Sequence, residues 1–457
     1  HDIFSFFDYA NADAYTIKIT RDAELDIDDD ISKSFMEKMS LSLEKRKRGQ
    51  PVRFVYDASM PEDLLNYFQR RMRLGREDNI IAGGRYHNFK DFMGFPNIGS
   101  SHLENKTKPP VPAMYFEHQK SHLEEIKERD HILHYPYQSF RHYIDMLREA
   151  AIDPRVTSIQ ITLYRVAKKS VVINSLINAA KNGKKVVVVI ELQARFDEEA
   201  NIYWSNRLQE VGAKVIHGVP GLKVHCKLTL IERKINKRIE HFAYIGTGNF
   251  HEETSKIYCD EGLFTADKRI TSDVIKVFEF FDKNYKQHIF NHIILSPFST
   301  RRHFLYHIDH EIKNAKRGKK GYMIIKMNSL VDEEMMEKLY EASQAGVTIK
   351  LIIRGICSLK PGVPGLSENI EAISIVDKFL EHSRIFYFYH GGNEKVYISS
   401  ADWMVRNLDR RIEVTCPVYD PEIKRELKKM LKIQLQDNVK ARILDDIQNN
   451  KYVQANN

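Results

Sequence analysis

Cysteine is scarce. The four present, Cys226, Cys259, Cys357 and Cys416, are widely scattered and form no CxxC pair. That spacing excludes a disulfide framework and fits a reducing, cytoplasmic setting. A zinc site built on His225 and Cys226 fails too, because adjacent residues of a strand point to opposite faces. Long apolar runs are also missing. The longest, 186–190, falls far short of the roughly 20 residues that span a bilayer and reads as a buried strand, so no transmembrane segment is expected. No charged segment followed by an apolar one opens the chain, and no initiator Met precedes His1. The expectation is an N-terminally truncated sequence without a signal peptide. Charge of one sign is not extreme either. A net +8 over 457 residues favours a polyanionic partner such as phosphate chains, nucleotides or nucleic acid, without choosing among them.

What is present is the composition of an ordinary globular chain, 42% hydrophobic and 29% charged, long enough for three domains. The first hundred residues alternate strand-like stretches (15–19 and 52–56) with a helical stretch (28–48) that ends in a basic run before Gly49. Ser59-Met60-Pro61-Glu62 has the form of a capping box opening a further helix. A proline-rich stretch over 106–112 reads as a linker, and Ser-Pro-Phe-Ser-Thr at 296–300 as a second boundary. The expected domains are therefore 1–107, mixed α/β, then 108–295 and 296–457.

The most informative feature is an internal repeat. Residues 158–191 align without gaps on 321–354, each a strand, an amphipathic helix, a Gly turn (Gly183; Gly346) and a strongly apolar strand. This is a βαβ pattern with parallel strands. Downstream, His225-Cys226-Lys227 corresponds to His382-Ser383-Arg384. The turn around Gly246-Thr247-Gly248-Asn249 corresponds to Ser399-Ser400-Ala401-Asp402, and Asp260 to Glu413. Each half thus supplies a His, a cation two residues on, a small-residue turn and a carboxylate in a later strand.

Residues two apart in a strand share a face, so His225 points with Lys227 and His382 with Arg384. An imidazole beside a fixed cation suits a phosphate: the cation holds the oxygens while the imidazole acts as nucleophile or proton donor. A carboxylate behind each ring would fix its tautomer. Taking each from its own half, Asp260 orients His225 and Glu413 backs His382. The small turn is expected to bring backbone N–H groups close to phosphate oxygens. Arg165, Arg195 and Arg354 stand at or just past the carboxyl ends of βαβ strands, where ligands of parallel sheets collect. Tyr258, two residues before Asp260, could stack on a base. Any of these alone is more often a surface ion-pair partner or a core ring. The duplicated set is what points to phosphoryl chemistry, and it leaves open which histidine is the nucleophile.

The strings carrying these residues, ITLYRVA (161–167), VVVVIELQARFDEEANI (186–202), PGLKVHCKL (220–228), YIGTGNF (244–250), IIRGICSL (352–359), AISIVDKFLEHSR (372–384) and VYISSADWM (396–404), closely resemble the bacterial polyphosphate kinase family, whose fold is related to phospholipase D. The resemblance implies two tandem phospholipase D-like α/β domains forming a pseudo-twofold active site, preceded by a smaller mixed α/β domain that packs between subunits of a homodimer or higher oligomer. It implies that a helical N-terminal domain which contributes to the adenine site is missing here. It places the phosphorylated histidine on His225, the second active-site histidine on His382, and nucleotide contacts on Tyr258 and Arg354. Lys227, Arg384 and Arg411 join His382 as further phosphate-binding candidates. Arg165 and Arg195 fall on the family's magnesium–phosphate positions. A guanidinium has no lone pair to donate, so these two would hold the phosphates that bind Mg²⁺.

The implied reaction is reversible transfer of the ATP γ-phosphate, through phosphohistidine, to the end of an inorganic polyphosphate chain, with ATP or ADP and Mg²⁺ as its small-molecule partners. No nucleic-acid partner is expected, and any membrane association would be peripheral. Two rivals share the residues: a phospholipase D-like phosphodiesterase or phosphatidyl transferase, and a non-catalytic polyanion binder, for which duplicated His–carboxylate sets would be purposeless.

Overall fold

The computed structural model describes residues 12–21, 51–72, 74, 79–87, 92, 94–99, 101–106, 108–117, 121–167, 169–192, 194 and 197–454. The chain divides into two compact units, 1–107 and 108–457. In the first, strands β1 (Ile17–Arg21), β2 (Pro51–Asp57) and β3 (Asn79–Gly83) form a sheet in that order, β1 antiparallel and β3 parallel to β2. The parallel pair needs a crossover, which the helix Glu62–Met72 supplies. That helix starts two residues later than the capping pattern places it, and Ser59 donates its hydroxyl to Asp57 instead, at 2.6 Å. The helix expected over 28–48 lies outside the described residues.

The second unit contains two eight-stranded sheets. The first comprises β4 (His131–Tyr135), β5 (Val156–Leu163), β6 (Lys185–Ile190), β7 (Lys214–Ile216), β9 (Lys227–Ile235), β10 (Arg238–Gly246), β11 (Tyr258–Thr265) and, from the other half of the chain, β16 (Leu380–Glu381). The second comprises β12 (Ile294–Leu295), β13 (Tyr322–Met327), β14 (Thr348–Ile353), β15 (Ile370–Ile375), β17 (Arg384–Phe388), β18 (Lys395–Ser399), β20 (Val414–Pro417) and β21 (Ala441–Leu444). A parallel two-stranded ribbon joins β8 (Lys223–Val224) to β19 (Arg411–Ile412).

The repeat read from the sequence is the core of both sheets. β5 and β6 pair in parallel across the helix Val171–Lys181, and β13 and β14 across Glu333–Gln344. Each helix is opened by a short polar side chain, Ser170 accepting from Ile173 N–H and Asp332 from Met335 N–H. Each is followed by a glycine with positive φ, Gly183 at 78° and Gly346 at 88°, a conformation that disfavours any residue with a Cβ. Val224, Leu228, Ala243 and Ile245 of the first half share one hydrophobic core with Ile352, Ile385, Ile398 and Val414 of the second. Fully burying each Val, Leu or Ile side chain among them is worth about 1.5–3 kcal/mol, which ties the halves into one body. The aromatic run 386–388 is strand core, buried throughout. Among the described residues, no helix is long and apolar enough to cross a membrane.

Candidate active site

Two short pairings decide the site. β8, which immediately precedes His225, runs parallel to β19, which immediately precedes Glu413. β16, which immediately precedes His382, runs parallel to the start of β11, with Leu380 opposite Tyr258 and Glu381 opposite Cys259. Backbone bonds continue both pairings into the motifs: the His225 and Cys226 N–H groups both donate to Ile412 O at 2.9 Å. Those of His382 and Ser383 donate to Cys259 O at 3.2 and 2.8 Å. Each histidine is therefore stitched to the carboxylate-bearing strand of the opposite half.

The side chains follow. His225 Nδ1 lies 2.8 Å from Glu413 Oε1, and His382 Nδ1 2.8 Å from Asp260 Oδ1. This reverses the sequence expectation, which gave Asp260 to His225 and Glu413 to His382. Sequence alignment matches equivalent residues of the two halves, whereas the exchange of β8 and β16 joins non-equivalent ones. A carboxylate only accepts, so each Nδ1 carries the proton and each Nε2 keeps its lone pair. Both carboxylates are held further: Thr247 donates to Asp260 Oδ1 at 2.6 Å, while Ser400 and Asn407 donate to Glu413.

The expected cations are beside the rings. Lys227, 2% exposed, places Nζ 3.1–3.2 Å from the two His225 ring nitrogens. Arg384 Nη1 sits 3.3 Å from His382 Nε2 and donates to the His382 carbonyl at 2.8 Å. Arg384 also forks onto Asp402, at 3.2 and 3.0 Å. Arg354 donates to Glu381 O at 2.8 Å and Asn328 Oδ1 at 3.0 Å. Arg411 lies 4.0 Å from Glu413 Oε1, and the Tyr258 ring meets His382 edge-on at 5.1 Å. Arg165 Nε lies 3.1 Å from Asp197. Arg195 is outside the described residues.

Burial drives the His225 pKa down to about 3, with the Lys227 and Arg411 charges adding to it and Glu413 opposing. Burial likewise lowers His382, against the pull of Asp260. The carboxyls of Glu413 and Asp260 fall below their ordinary range: burial raises them, but their histidines and hydrogen-bond donors more than offset it. Lys227 is pushed down to about 7, by burial first and by Arg384, with Glu413 pulling upward. That Lys227 feels Arg384 and Asp260, and His382 feels Lys227, places the two sets within one electrostatic neighbourhood. The result is two neutral imidazoles, backed by ionised carboxylates, whose Nε2 atoms face Lys227 and Arg384.

Part of the small turn is already engaged by the sheet. Thr247 N–H is engaged by Glu261 O at 3.0 Å, and Ser400 N–H by Val414 O at 3.0 Å, so neither is free for phosphate. Gly248 is required because a Cβ there would lie 2.1 Å from Asp260 Oδ2. Sequence reasoning also missed Tyr164, whose ring stands edge-on to His225 at 4.7 Å, and gave no role to Asp402. The repeat held the signal for Asp402: Asn249 becomes Asp402 as Lys227 becomes Arg384, a carboxylate placed where a guanidinium can fork onto it.

Duplicated α/β halves that exchange strands to build one site from two His–carboxylate–cation sets define a phospholipase D-like fold. Family descriptions match along the chain: the polyphosphate kinase middle domain over residues 1–95, C-terminal domain 1 over 121–287 and C-terminal domain 2 over 293–457. The polyphosphate kinase of Vibrio vulnificus (strain YJ016) is 50% identical over 458 residues, covering 100% of this chain and 65% of that protein. That of Escherichia coli (strain K12) is 48% identical over 459 residues, covering 100% and 67%. The crystal structure of polyphosphate kinase from Porphyromonas gingivalis superposes with a TM-score of 0.83 at 40% identity, covering 97% of this chain and 65% of that one. This chain belongs to the polyphosphate kinase family, and it spans about two thirds of the length of these relatives.

Proposed function

We propose that this chain carries the phosphoryl-transfer site of a polyphosphate kinase, with His225 as the residue that is phosphorylated. The observation that carries the reading is the crossed pair of His–carboxylate contacts, His225 with Glu413 and His382 with Asp260. In this reading His225 Nε2 attacks the γ-phosphorus of ATP in line, the bond to the β-bridging oxygen breaks, and ADP leaves. The terminal oxygen of a polyphosphate chain then attacks the phosphohistidine, regenerating neutral His225 and lengthening the chain by one unit. Lys227, Arg384 and Arg354 neutralise the phosphate oxygens, since phosphoryl transfer is mostly positioning and charge stabilisation. His382 binds the transferring group or moves a proton to and from it, and Tyr258 contacts the base.

Magnesium enters as the partner of the substrate phosphates. Among the described residues no group of three or more His, Cys, Asp or Glu side chains could hold a metal ion, and a guanidinium cannot ligate one. Arg165 and Arg195 would hold the phosphates that carry Mg²⁺, and the ion would supply neutralisation of the developing negative charge. A homodimer is part of the same reading, supported by the exposed aromatic and aliphatic side chains Tyr86, Phe95, Ile98 and Leu103 of the first unit. A cytoplasmic setting is supported by four free cysteines.

The test is incubation of the full-length protein with γ-labelled ATP. The expected product is an acid-labile, base-stable label that His225→Ala abolishes and added polyphosphate discharges. Label that survives in His225→Ala, or hydrolysis of a phosphodiester without ATP, would overturn the reading.

A further inference from the structure

In the internal repeat, Glu191 of the first half occupies the position of Arg354 in the second, each directly following the second βαβ strand, β6 or β14. The two side chains have opposite charge, yet they take hold of equivalent backbone. Glu191 Oε2 accepts the Val224 N–H at 2.9 Å, and Arg354 Nε donates to the Glu381 carbonyl at 2.8 Å. Val224 and Glu381 are the residues immediately before His225 and His382.

The strand pairing explains why these groups are available. Lys223 and His225 send their N–H groups to Arg410 O and Ile412 O, and Leu380 and His382 send theirs to Ile257 O and Cys259 O. Alternation along a strand turns the polar groups of the residue in between to the other side, away from the ladder. Glu191 satisfies that side for Val224, and Arg354 does so for Glu381. Glu191 is itself anchored: Asn201, fully buried, donates one amide to both the Glu191 and the Tyr164 carbonyls, each at 2.9 Å. The Tyr164 ring meets His225 edge-on. One amide therefore fixes two elements that border His225, the Glu191 clamp behind its backbone and the Tyr164 ring against its side chain.

A buried carboxylate is an expensive way to fill space, because an apolar side chain of similar size is as stabilising or more so. Glu191 is only 5% exposed. We propose that Glu191, held by Asn201, is a positioning residue that sets where the His225 imidazole stands, as the counterpart of the Arg354 contact behind His382. This inference rests on His225 being the phosphorylated residue. The geometry that matters is the path from β6 through the carboxylate to Val224 and so to the ring.

The experiment measures, in the full-length protein, the single-turnover rate of labelling from γ-labelled ATP together with KM for ATP. Glu191→Ala is expected to slow labelling about 10- to 100-fold, the effect of a sub-ångström to ångström misplacement, with KM changed less than about two-fold. Glu191→Gln retains an acceptor oxygen for Val224 N–H and is expected to recover labelling to within about five-fold of wild type. Labelling by Glu191→Ala at the wild-type rate, a change confined to KM, or a Glu191→Gln variant as slow as the alanine variant would each overturn the proposal. Should Glu191→Ala not fold, Glu191→Gln alone decides: near-wild-type labelling supports the acceptor role and loss of labelling ends it. A wild-type protein that takes no label, or a His225→Ala variant that does, would instead refute the assignment of the nucleophile.

Discussion

His225 Nδ1 and Glu413 Oε1 are 2.8 Å apart although 188 residues separate them in sequence. Glu413 is fully buried, hydrogen-bonded by Ser400 and Asn407, and delivered by β19, the strand that pairs with the two residues before His225. The proton on Nδ1 is thereby fixed, and the lone pair on Nε2 is left for the phosphorus.

Glu413→Gln should therefore reduce labelling of His225 by about 100- to 10,000-fold, because an amide can present its N–H to Nδ1 and select the wrong tautomer. Asp260→Asn acts on His382 and should leave the labelling step much less affected than Glu413→Gln does. Rapid-quench measurement of the labelled protein compares them. Equal damage in the two variants, or the reverse order, would contradict the crossed pairing.

The pH dependence separates His225 from Lys227. His225, with its pKa near 3, stays a neutral nucleophile, so labelling should show no acid limb of its own above about pH 5. The unfolded chain takes up a proton near pH 6.5 that folded His225 refuses until about 3, so this group costs stability as pH falls below 6.5. Lys227, near 7, loses its ammonium as pH rises through neutrality, and KM for ATP should rise with it. Lys227→Arg keeps its charge throughout and should remove that rise. A KM profile identical in the two proteins would remove Lys227 from phosphate binding.

Gly248→Ala puts a methyl group into the Asp260 carboxylate. The expected cost is about 1–3 kcal/mol from overpacking, with activity lost along with it, since Asp260 must leave His382 to make room. The opposite half already carries Ala401, fully buried, and Ala401→Gly should cost no more than about 1 kcal/mol. Denaturant midpoints and the polyphosphate assay check both.

Asp402→Ala strands the Arg384 guanidinium, 4% exposed, without its carboxylate. Breaking a buried pair from one side costs about 3–5 kcal/mol. The equivalent Asn249→Ala breaks no ion pair of this kind and should cost about 1–2 kcal/mol less than that. Urea unfolding of the two variants measures the difference.

Much of this was legible beforehand. The βαβ units showed themselves through apolar strands at equal offsets and through Gly183 and Gly346, whose positive φ makes their identity a local necessity. Lys227 and Arg384 were readable because a strand puts residues two apart on one face. Asp402 was half legible, as an Asn-to-Asp change accompanying the Lys-to-Arg change from Lys227 to Arg384. Tyr164 was not, because nothing in a strand-end tyrosine says which ring it will meet. Thr247 misled: a small turn looks open to a ligand until the ladder claims its N–H.

The sequence by itself determined that two homologous halves each carry a histidine, a cation and a carboxylate, because periodicity and turn chemistry act within a few residues. Which carboxylate serves which histidine was decided only by tertiary structure. β8 and β16 each leave their own half to pair in parallel with a strand of the other, and the resulting hydrogen bonds join residues more than a hundred positions apart. No local pattern encodes that exchange. It follows from burying one shared core between the halves, which leaves the two short strands facing partners across the boundary.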